Sequence, residues 1–309
     1  MQLKAISWNL FHGRDFPPDP GLFTWRSRLL RVTERNETHA QVNRDLNEEF
    51  SRVLAAAEWD VALLQECPPR WWDRLARACG ADAHGALTSR NSLAPLRALA
   101  ARLNPDLIGA GEGGSNLTLV RNPFRGSPST HDVDDGRRED GIVERRELAI
   151  HRGRPERRAM AFTRIVVGAE GGPSGLCIAN LHATNDRPEL ASEDVLRAAR
   201  AATEWAGDAP LLFGGDLNLR PAESPALFDE LRERFSLAAP TSPDAIDHLL
   251  VRGLEIVKPA HPWPPERREV RLEQQGRSDS RRTASEAGLA LRLSDHAPVE
   301  ASFSTRAAR

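Results

Sequence analysis

Four short apolar runs in this chain each stop on a side chain able to do chemistry. Ala5-Ile6-Ser7-Trp8 stops at Asn9, and Val61-Ala62-Leu63-Leu64 at Gln65-Glu66. Leu176-Cys177-Ile178-Ala179 stops at Asn180-Leu181-His182, and Leu211-Leu212-Phe213-Gly214-Gly215 at Asp216-Leu217-Asn218. Continuous apolar runs of this length read as buried strands. One polar residue where a strand leaves the core is ordinary. Acids, amides and an imidazole at four strand ends constrain the fold, because the ends must be laid side by side. A fifth group, Ser294-Asp295-His296, sits just before the apolar run Val299 to Phe303. An antiparallel last strand would bring its start to the edge where the other strands finish.

Further strand-like runs cover Asn116 to Val120, Met160 to Val167 and Ala245 to Val251. Helical spacing recurs in Leu46, Phe50, Val53, Leu54 and Ala57, and again in Trp72, Leu75, Ala76 and Cys79 after Pro68-Pro69. Ser224-Pro225 reads as N-cap and N1 of a helix with Phe228, Leu231 and Phe235 on its inner face. Strands alternating with helices and then clustering indicate an α/β (α+β) layered fold. The expectation is one domain over residues 1–309, carrying loop insertions at 14–41, 127–155 and 266–288. Charge- and Gly-rich stretches of that length are loops by composition.

The residue types at the strand ends limit the chemistry. Glu66, Asp295 and the Asn9 amide are hard oxygen donors, suited to Mg²⁺ or Mn²⁺ rather than zinc. Clustered carboxylates would repel each other and an anionic substrate. A cation reverses this by holding the acids, drawing in phosphate and stabilising charge in the transition state. Asp216 would then orient and deprotonate a water. His296 would donate to a phosphoryl oxygen or act as base, with Asp247 fixing its tautomer. His182 would serve the leaving group or another phosphoryl oxygen. These parts together suit in-line attack of water on phosphorus.

In their order along the chain, Trp8-Asn9, Leu64-Gln65-Glu66, Asn180-Leu181-His182, Gly215-Asp216-Leu217-Asn218, Ile246-Asp247-His248 and Ser294-Asp295-His296 resemble the motifs of the endonuclease/exonuclease/phosphatase superfamily. That group includes deoxyribonuclease I, abasic-site endonucleases, sphingomyelinases and inositol-polyphosphate 5-phosphatases. The resemblance implies a four-layered sandwich of two packed, mostly antiparallel β-sheets flanked by helices. It implies that Glu66 is the principal metal ligand, with Asn9 and Asp295 nearby. Asp216 and Asn218 would position nucleophile and phosphate, and Asp247–His296 and His182 would complete the catalytic set. Asn116, Arg158 and Asn180 are read as substrate contacts, Arg158 as a guanidinium suited to phosphate. The abasic-site branch places a Tyr in its centre, and this chain has none. His12, one turn beyond Asn9, is a further candidate for the site's lining.

The implied activity is that of a phosphodiesterase or nuclease-like hydrolase. A phosphomonoesterase acting on a sugar, inositol or lipid phosphate is the alternative. A catalytically silent binding domain would have lost ligands, yet every expected position is filled. A net charge of −2 supplies no long-range field for coating nucleic acid. The partner is therefore a phosphoester whose nature, nucleic acid, lipid or small phosphate, the sequence leaves open. Three scattered cysteines without CxxC spacing argue against a zinc site or disulfide framework and suit buried thiols. Met1 runs directly into strand-like sequence, and no apolar stretch approaches the roughly 20 residues needed to span a bilayer. A cytoplasmic location is expected.

Overall fold

The computed structural model describes residues 2–88, 94–107, 113–121, 141–151, 158–169, 172–272 and 288–305. The strands are β1 (Gln2–Asn9), β2 (Glu34–Arg35), β3 (Ala40–Gln41), β4 (Val61–Gln65), β5 (Ala81–Leu87), β6 (Ser115–Arg121), β7 (Ile142–His151) and β8 (Arg158–Ala169). They continue with β9 (Gly172–His182), β10 (Leu211–Asp216), β11 (Asp247–Arg252), β12 (Leu254–Pro262), β13 (Glu269–Arg271), β14 (Ala290–Arg292) and β15 (Val299–Thr305). The helices are α1 (Trp25–Leu30), α2 (Asn47–Ala56), α3 (Trp72–Cys79), α4 (Ala94–Leu103), α5 (Pro188–Ala206) and α6 (Pro225–Phe235).

Two sheets carry the architecture. One has six strands in the order β12-β15-β1-β4-β6-β5, the other five in the order β11-β10-β9-β8-β7. Successive strand side chains point to opposite faces, and here both faces are covered. In β1, Leu3 and Ala5 join the apolar layer between the sheets, while Ile6 and Trp8 face α2 and α3. In β10, Leu212 enters the same middle layer, while Leu211 and Phe213 face α5 and α6. Three apolar layers thus separate helices, sheet, sheet and helices, the expected four-layered α/β sandwich. Trp8 is wholly buried, with its ring centroid 5.0 Å from that of Phe50. Its burial is worth roughly 2–3 kcal/mol.

Each sheet has one parallel pair, and these pairs set the strand ends. β1 runs parallel to β4, and β9 parallel to β10 with His182 opposite Asp216. β11 is antiparallel to β10, so its first residue, Asp247, lies opposite Asp216. β15 is antiparallel to β1, with Val299 opposite Ser7, which brings Asp295 and His296 to the edge where β1 finishes.

Parts of the expected organisation need correction. The segment 127–155, read as a loop, contains β7, one of the two edge strands of the five-stranded sheet. Its charged middle, Glu144-Arg145-Arg146-Glu147, suits a strand with one unpaired edge. Residues 127–140, 152–157 and 273–287 lie outside the described residues. Ser224 does precede α6, but its hydroxyl makes no capping bond. The three cysteines are buried and unpaired.

Between β1 and α2, Asp15 is fully buried and accepts the Val42 N–H at 3.0 Å. Burial, with the Asp106 carboxylate adding to it, raises its pKa to about 8. The folded chain therefore holds this proton more tightly than the unfolded chain, whose Asp titrates near 3.8. Stability contributed by the site is full below about pH 4 and is lost as the pH rises towards about 8, by several kcal/mol on the order of ~1.4 per unit. Asp15→Asn is expected to flatten that slope. Urea unfolding of both proteins at about pH 5 and about pH 8 measures it, and parallel pH dependence would contradict the assignment.

Candidate active site

The two sheets are pinned together by amides just beneath the strand ends. Gln65 donates to Asn180 Oδ1 at 2.8 Å, and Asn180 Nδ2 reaches the carbonyls of Leu117 at 3.1 Å and Leu64 at 3.4 Å. Asn116 Nδ2 donates across the same seam to Ala159 at 2.8 Å and Asn180 at 3.3 Å. Both asparagines are wholly buried. The structure thus places Asn116 and Asn180, expected as substrate contacts, in the interior with their N–H groups committed to backbone. A buried polar group is costly unless bonded, and the seam satisfies the N–H groups of both amides, while Asn116 Oδ1 is buried without a hydrogen-bond partner among the described residues.

Above this seam, side chains from both sheets converge. Asn9 Nδ2 donates to Asp216 Oδ2 at 2.9 Å, a bond from one sheet to the other. Asn9 Oδ1 accepts the Phe11 N–H at 2.9 Å, which fixes the amide's orientation and leaves the oxygen a second lone pair. Asp216 is almost fully buried and also accepts the Asn218 N–H at 3.1 Å. Burial, reinforced by the Asp247 carboxylate, pushes its pKa up to about 7. Asn218 itself is tied to the Ala183 carbonyl at 3.1 Å.

The imidazoles have opposite characters. His296 Nδ1 lies 2.7 Å from Asp247 Oδ2, and its Nε2 is 3.9 Å from Asp216 Oδ2. Burial lowers the pKa of His296, but Asp247 with Asp216 and Asp295 outweighs that and raises it to about 10. His182 is pushed well below its ordinary value, by burial first and by the Arg158 guanidinium second. Arg158 Nη1 stands 3.3 Å from His182 Nδ1. A guanidinium only donates, so Nδ1 is the acceptor and the proton of this neutral ring sits on Nε2. That Nε2 is 3.5 Å from Asp216 Oδ2 and 3.9 Å from Glu66 Oε1. Glu66 Oε2 is in turn 3.2 Å from His12 Nε2.

The Ser294-Asp295-His296 loop is held from behind. Ser294 Oγ donates to the Asn9 carbonyl at 2.6 Å and accepts the His296 N–H at 3.0 Å. Trp8 Nε1 donates to the His296 carbonyl at 3.0 Å. Arg268, buried so that its pKa falls to about 10, donates to the carbonyls of Leu293, Ser294 and His296. Sequence reading missed Arg268, because it lies at the start of a stretch that looks like a polar insertion.

Backbone strain gathers at the same place. Of nine non-glycine residues with positive φ among the described residues, five are Phe11, His12, Glu66, Asn218 and Ser294. Such conformations cost of order ~1–3 kcal/mol each and cluster at functional sites. Gly215, at φ +130°, shows why a glycine precedes Asp216: a Cβ there would lie 1.9 Å from the Leu181 carbonyl oxygen. Gly215→Ala is expected to cost at least about 3 kcal/mol or to prevent folding. A melting temperature equal to the parent's would refute this.

The chemistry of the donors fits a divalent cation. Asp216, Asp247 and His296 offer ligand atoms within 4.8 Å of one another. His296, however, carries its proton against Asp247, and a protonated imidazole has no lone pair for a metal. Glu66, Asp295 and the Asn9 side-chain oxygen, all hard oxygens, are a set of the kind such a cation takes. The cluster His182, Asp216, Asn218, Asp247 and His296 then lies beside it.

A sandwich whose strand ends present this set of acids, amides and imidazoles is a hydrolase frame for phosphoesters. The chain belongs to the Endonuclease/Exonuclease/phosphatase family, whose profile matches residues 6–296. Members of that family are phosphoester hydrolases, generally dependent on a divalent metal. A solved family protein from Bacteroides thetaiotaomicron aligns with a TM-score of 0.59 at 14% identity, covering 99% of this chain and 99% of that one. The mannosyl-6-phosphatase Bt3783 of B. thetaiotaomicron VPI-5482 gives 0.56 at 14% identity, covering 97% and 99%. The human Nocturnin catalytic domain with bound sulfate gives 0.54 at 13%, covering 98% and 94%. At such identities the likeness is one of fold. No curated sequence matches the chain significantly. Among the described residues, no helix is long and apolar enough to cross a membrane.

Proposed function

We propose that this protein is a Mg²⁺- or Mn²⁺-dependent phosphodiesterase or nuclease-like hydrolase that directs water onto phosphorus in line with the leaving group. The observation that carries the reading is the Asp247–His296 pair, 2.7 Å apart, facing buried Asp216 across 3.9 Å. Glu66, Asn9 and Asp295 would hold the cation, which supplies Lewis-acid stabilisation of phosphoryl charge when bound. Asp216, whose proton affinity is raised by burial and by the Asp247 carboxylate, orients and deprotonates the attacking water. Asn218 positions water and phosphate. His296, kept charged by Asp247, donates to a non-bridging phosphoryl oxygen. His182, with its proton on Nε2, donates to a second oxygen or to the departing alkoxide. Arg158 acts on the site through His182 by fixing its tautomer.

The test compares bis(p-nitrophenyl) phosphate with p-nitrophenyl phosphate, in Mg²⁺ or Mn²⁺ and in EDTA. Diester turnover that EDTA lowers by at least ~10²-fold supports the reading. Preference for the monoester would move it to the phosphomonoesterases. Turnover of neither ester in either metal would overturn it.

A further inference from the structure

Helix α4 wears its amphipathic pattern inside out. Ala101 is wholly buried, whereas Leu96, Leu99 and Leu103 are 64%, 55% and 63% exposed. Their spacing of three and four puts the leucines on one face, and Leu107, 46% exposed, follows just beyond the helix. Helix α1 repeats the inversion: Ser27 is fully buried, while Trp25, Leu29 and Leu30 protrude. A single exposed leucine is unremarkable, but a contiguous apolar face marks an interaction surface.

One asparagine joins the two helices. Asn43 Nδ2 donates to the carbonyls of Ser27 at 3.2 Å and Arg28 at 2.8 Å, and to Asn104 Oδ1, next after α4, at 2.6 Å. Its Oδ1 accepts the Asp106 N–H at 3.1 Å. The patch is made of the two apolar faces whose helices this asparagine anchors from the buried side. The charge on the helices themselves is of one sign, with Glu34 bonded to the Thr24 cap of α1 at the edge. Arg26, Arg28, Arg97 and Arg102 lie on the helices and Arg31 caps α1, while neither helix contains Asp or Glu. In a chain of net charge −2 this is a local segregation.

A run of hydrogen bonds connects the patch with the cleft. The Arg14 carbonyl accepts the Ser294 N–H at 3.0 Å, directly before Asp295. From there Asp15 bonds Val42, and Gln41 Nε2 reaches Asp106 Oδ2 at 3.2 Å, just behind α4.

We propose that the α1–α4 face docks on an anionic lipid bilayer. Trp and Leu side chains enter the headgroup–acyl boundary while guanidinium groups meet lipid phosphates, as in interfacial helices. A ten-residue helix, about 15 Å long, lies in such a surface without crossing it. A second copy of the chain is disfavoured as occupant, because self-pairing would set arginine against arginine. Docking would bring the cleft to phosphoesters carried in the bilayer. That consequence rests on the hydrolase reading, whereas the docking does not.

The experiment sediments the full-length chain with vesicles of phosphatidylcholine alone or mixed with phosphatidylglycerol, using Glu66→Gln to suppress turnover. Binding to the mixed vesicles, weakened about tenfold or more in Trp25→Ser/Leu99→Ser, supports docking. A loss of preference for anionic vesicles in Arg26→Ala/Arg102→Ala supports it too. These exposed substitutions leave melting temperature and turnover of the soluble diester unchanged in the otherwise native chain. Sedimentation with neither vesicle, equal binding by parent and variants, or capture of the patch by self-association overturns the proposal. Because binding is read without turnover, failure of the hydrolase reading leaves this result intact.

Discussion

Glu66→Gln is expected to lower diester turnover by about 10³-fold or more while the melting temperature stays within a degree or two of the parent's. The substitution keeps the shape and removes the charge. Among the described residues the ion pairs of Glu66 are with His12 at 3.2 Å and His182 at 3.9 Å, and the Arg14 guanidinium attracts it from farther off. Its carboxylate is partly exposed, and Arg14 is also attracted by Asp106 and Asp295, so losing the one charge leaves that cation compensated. The fold therefore loses little. A bound cation loses its principal hard ligand, and with it the stabilisation of phosphoryl charge that in metal sites is worth several kcal/mol. Steady-state kinetics over a Mn²⁺ titration and a thermal melt read the two halves separately. Parent-like turnover at saturating Mn²⁺ would remove Glu66 from the metal site.

Asp247→Asn isolates a different element. The amide is nearly isosteric, and the Thr241 hydroxyl still reaches the backbone carbonyl of residue 247. What disappears is the charge 2.7 Å from His296 Nδ1. In His–carboxylate pairs of hydrolases that loss is worth roughly 10³–10⁴ in turnover, and a drop of that order is expected here. Losing the carboxylate also returns the His296 pKa from about 10 towards 6.5. Turnover should then fall further as the pH rises through the new value, because the imidazolium donor deprotonates. Mn²⁺ affinity should hold, since Asp247 is outside the proposed ligand set. An unchanged pH–rate profile would show that the pair does not serve the reaction.

What was legible in the sequence follows burial. β1, β4, β9 and β10 lie inside their sheets, with apolar neighbours on both faces, and so spell continuous apolar runs. In the two large sheets the strands without such runs, β5, β7 and β12, are all at edges. Eight of the nine residues in β12 are exposed or half-exposed, only Ala260 being buried. An edge strand is closed on one side only and needs no apolar run. The convergence of Asn9, Glu66, His182, Asp216, Asp247 and His296 was legible because parallel and antiparallel pairing fixes which ends meet. The use of Asn116 and Asn180 was not. An asparagine at a strand end reads alike whether it faces a cleft or a seam, and only the second sheet's position decides. Arg268 was illegible for a related reason: its partners are three carbonyls, which leave no mark in sequence.

The bond from Asn9 to Asp216 has a consequence for how such a protein wears out. The proposed cation ligands Asn9, Glu66 and Asp295 belong to one sheet, and Asp216, His182 and Asp247 to the other. Nothing covalent nearby sets the distance between them. Catalytic alignment is thus a vernier read between two independently built plates, with the buried apolar layer as its spacer. A misplacement of about 1 Å at a reacting centre can cost about 10² in rate. The spacer must therefore be kept to tolerance for chemistry long after it is good enough for folding. Drift in those interior residues would be felt first as a slow enzyme, and only later as an unstable one.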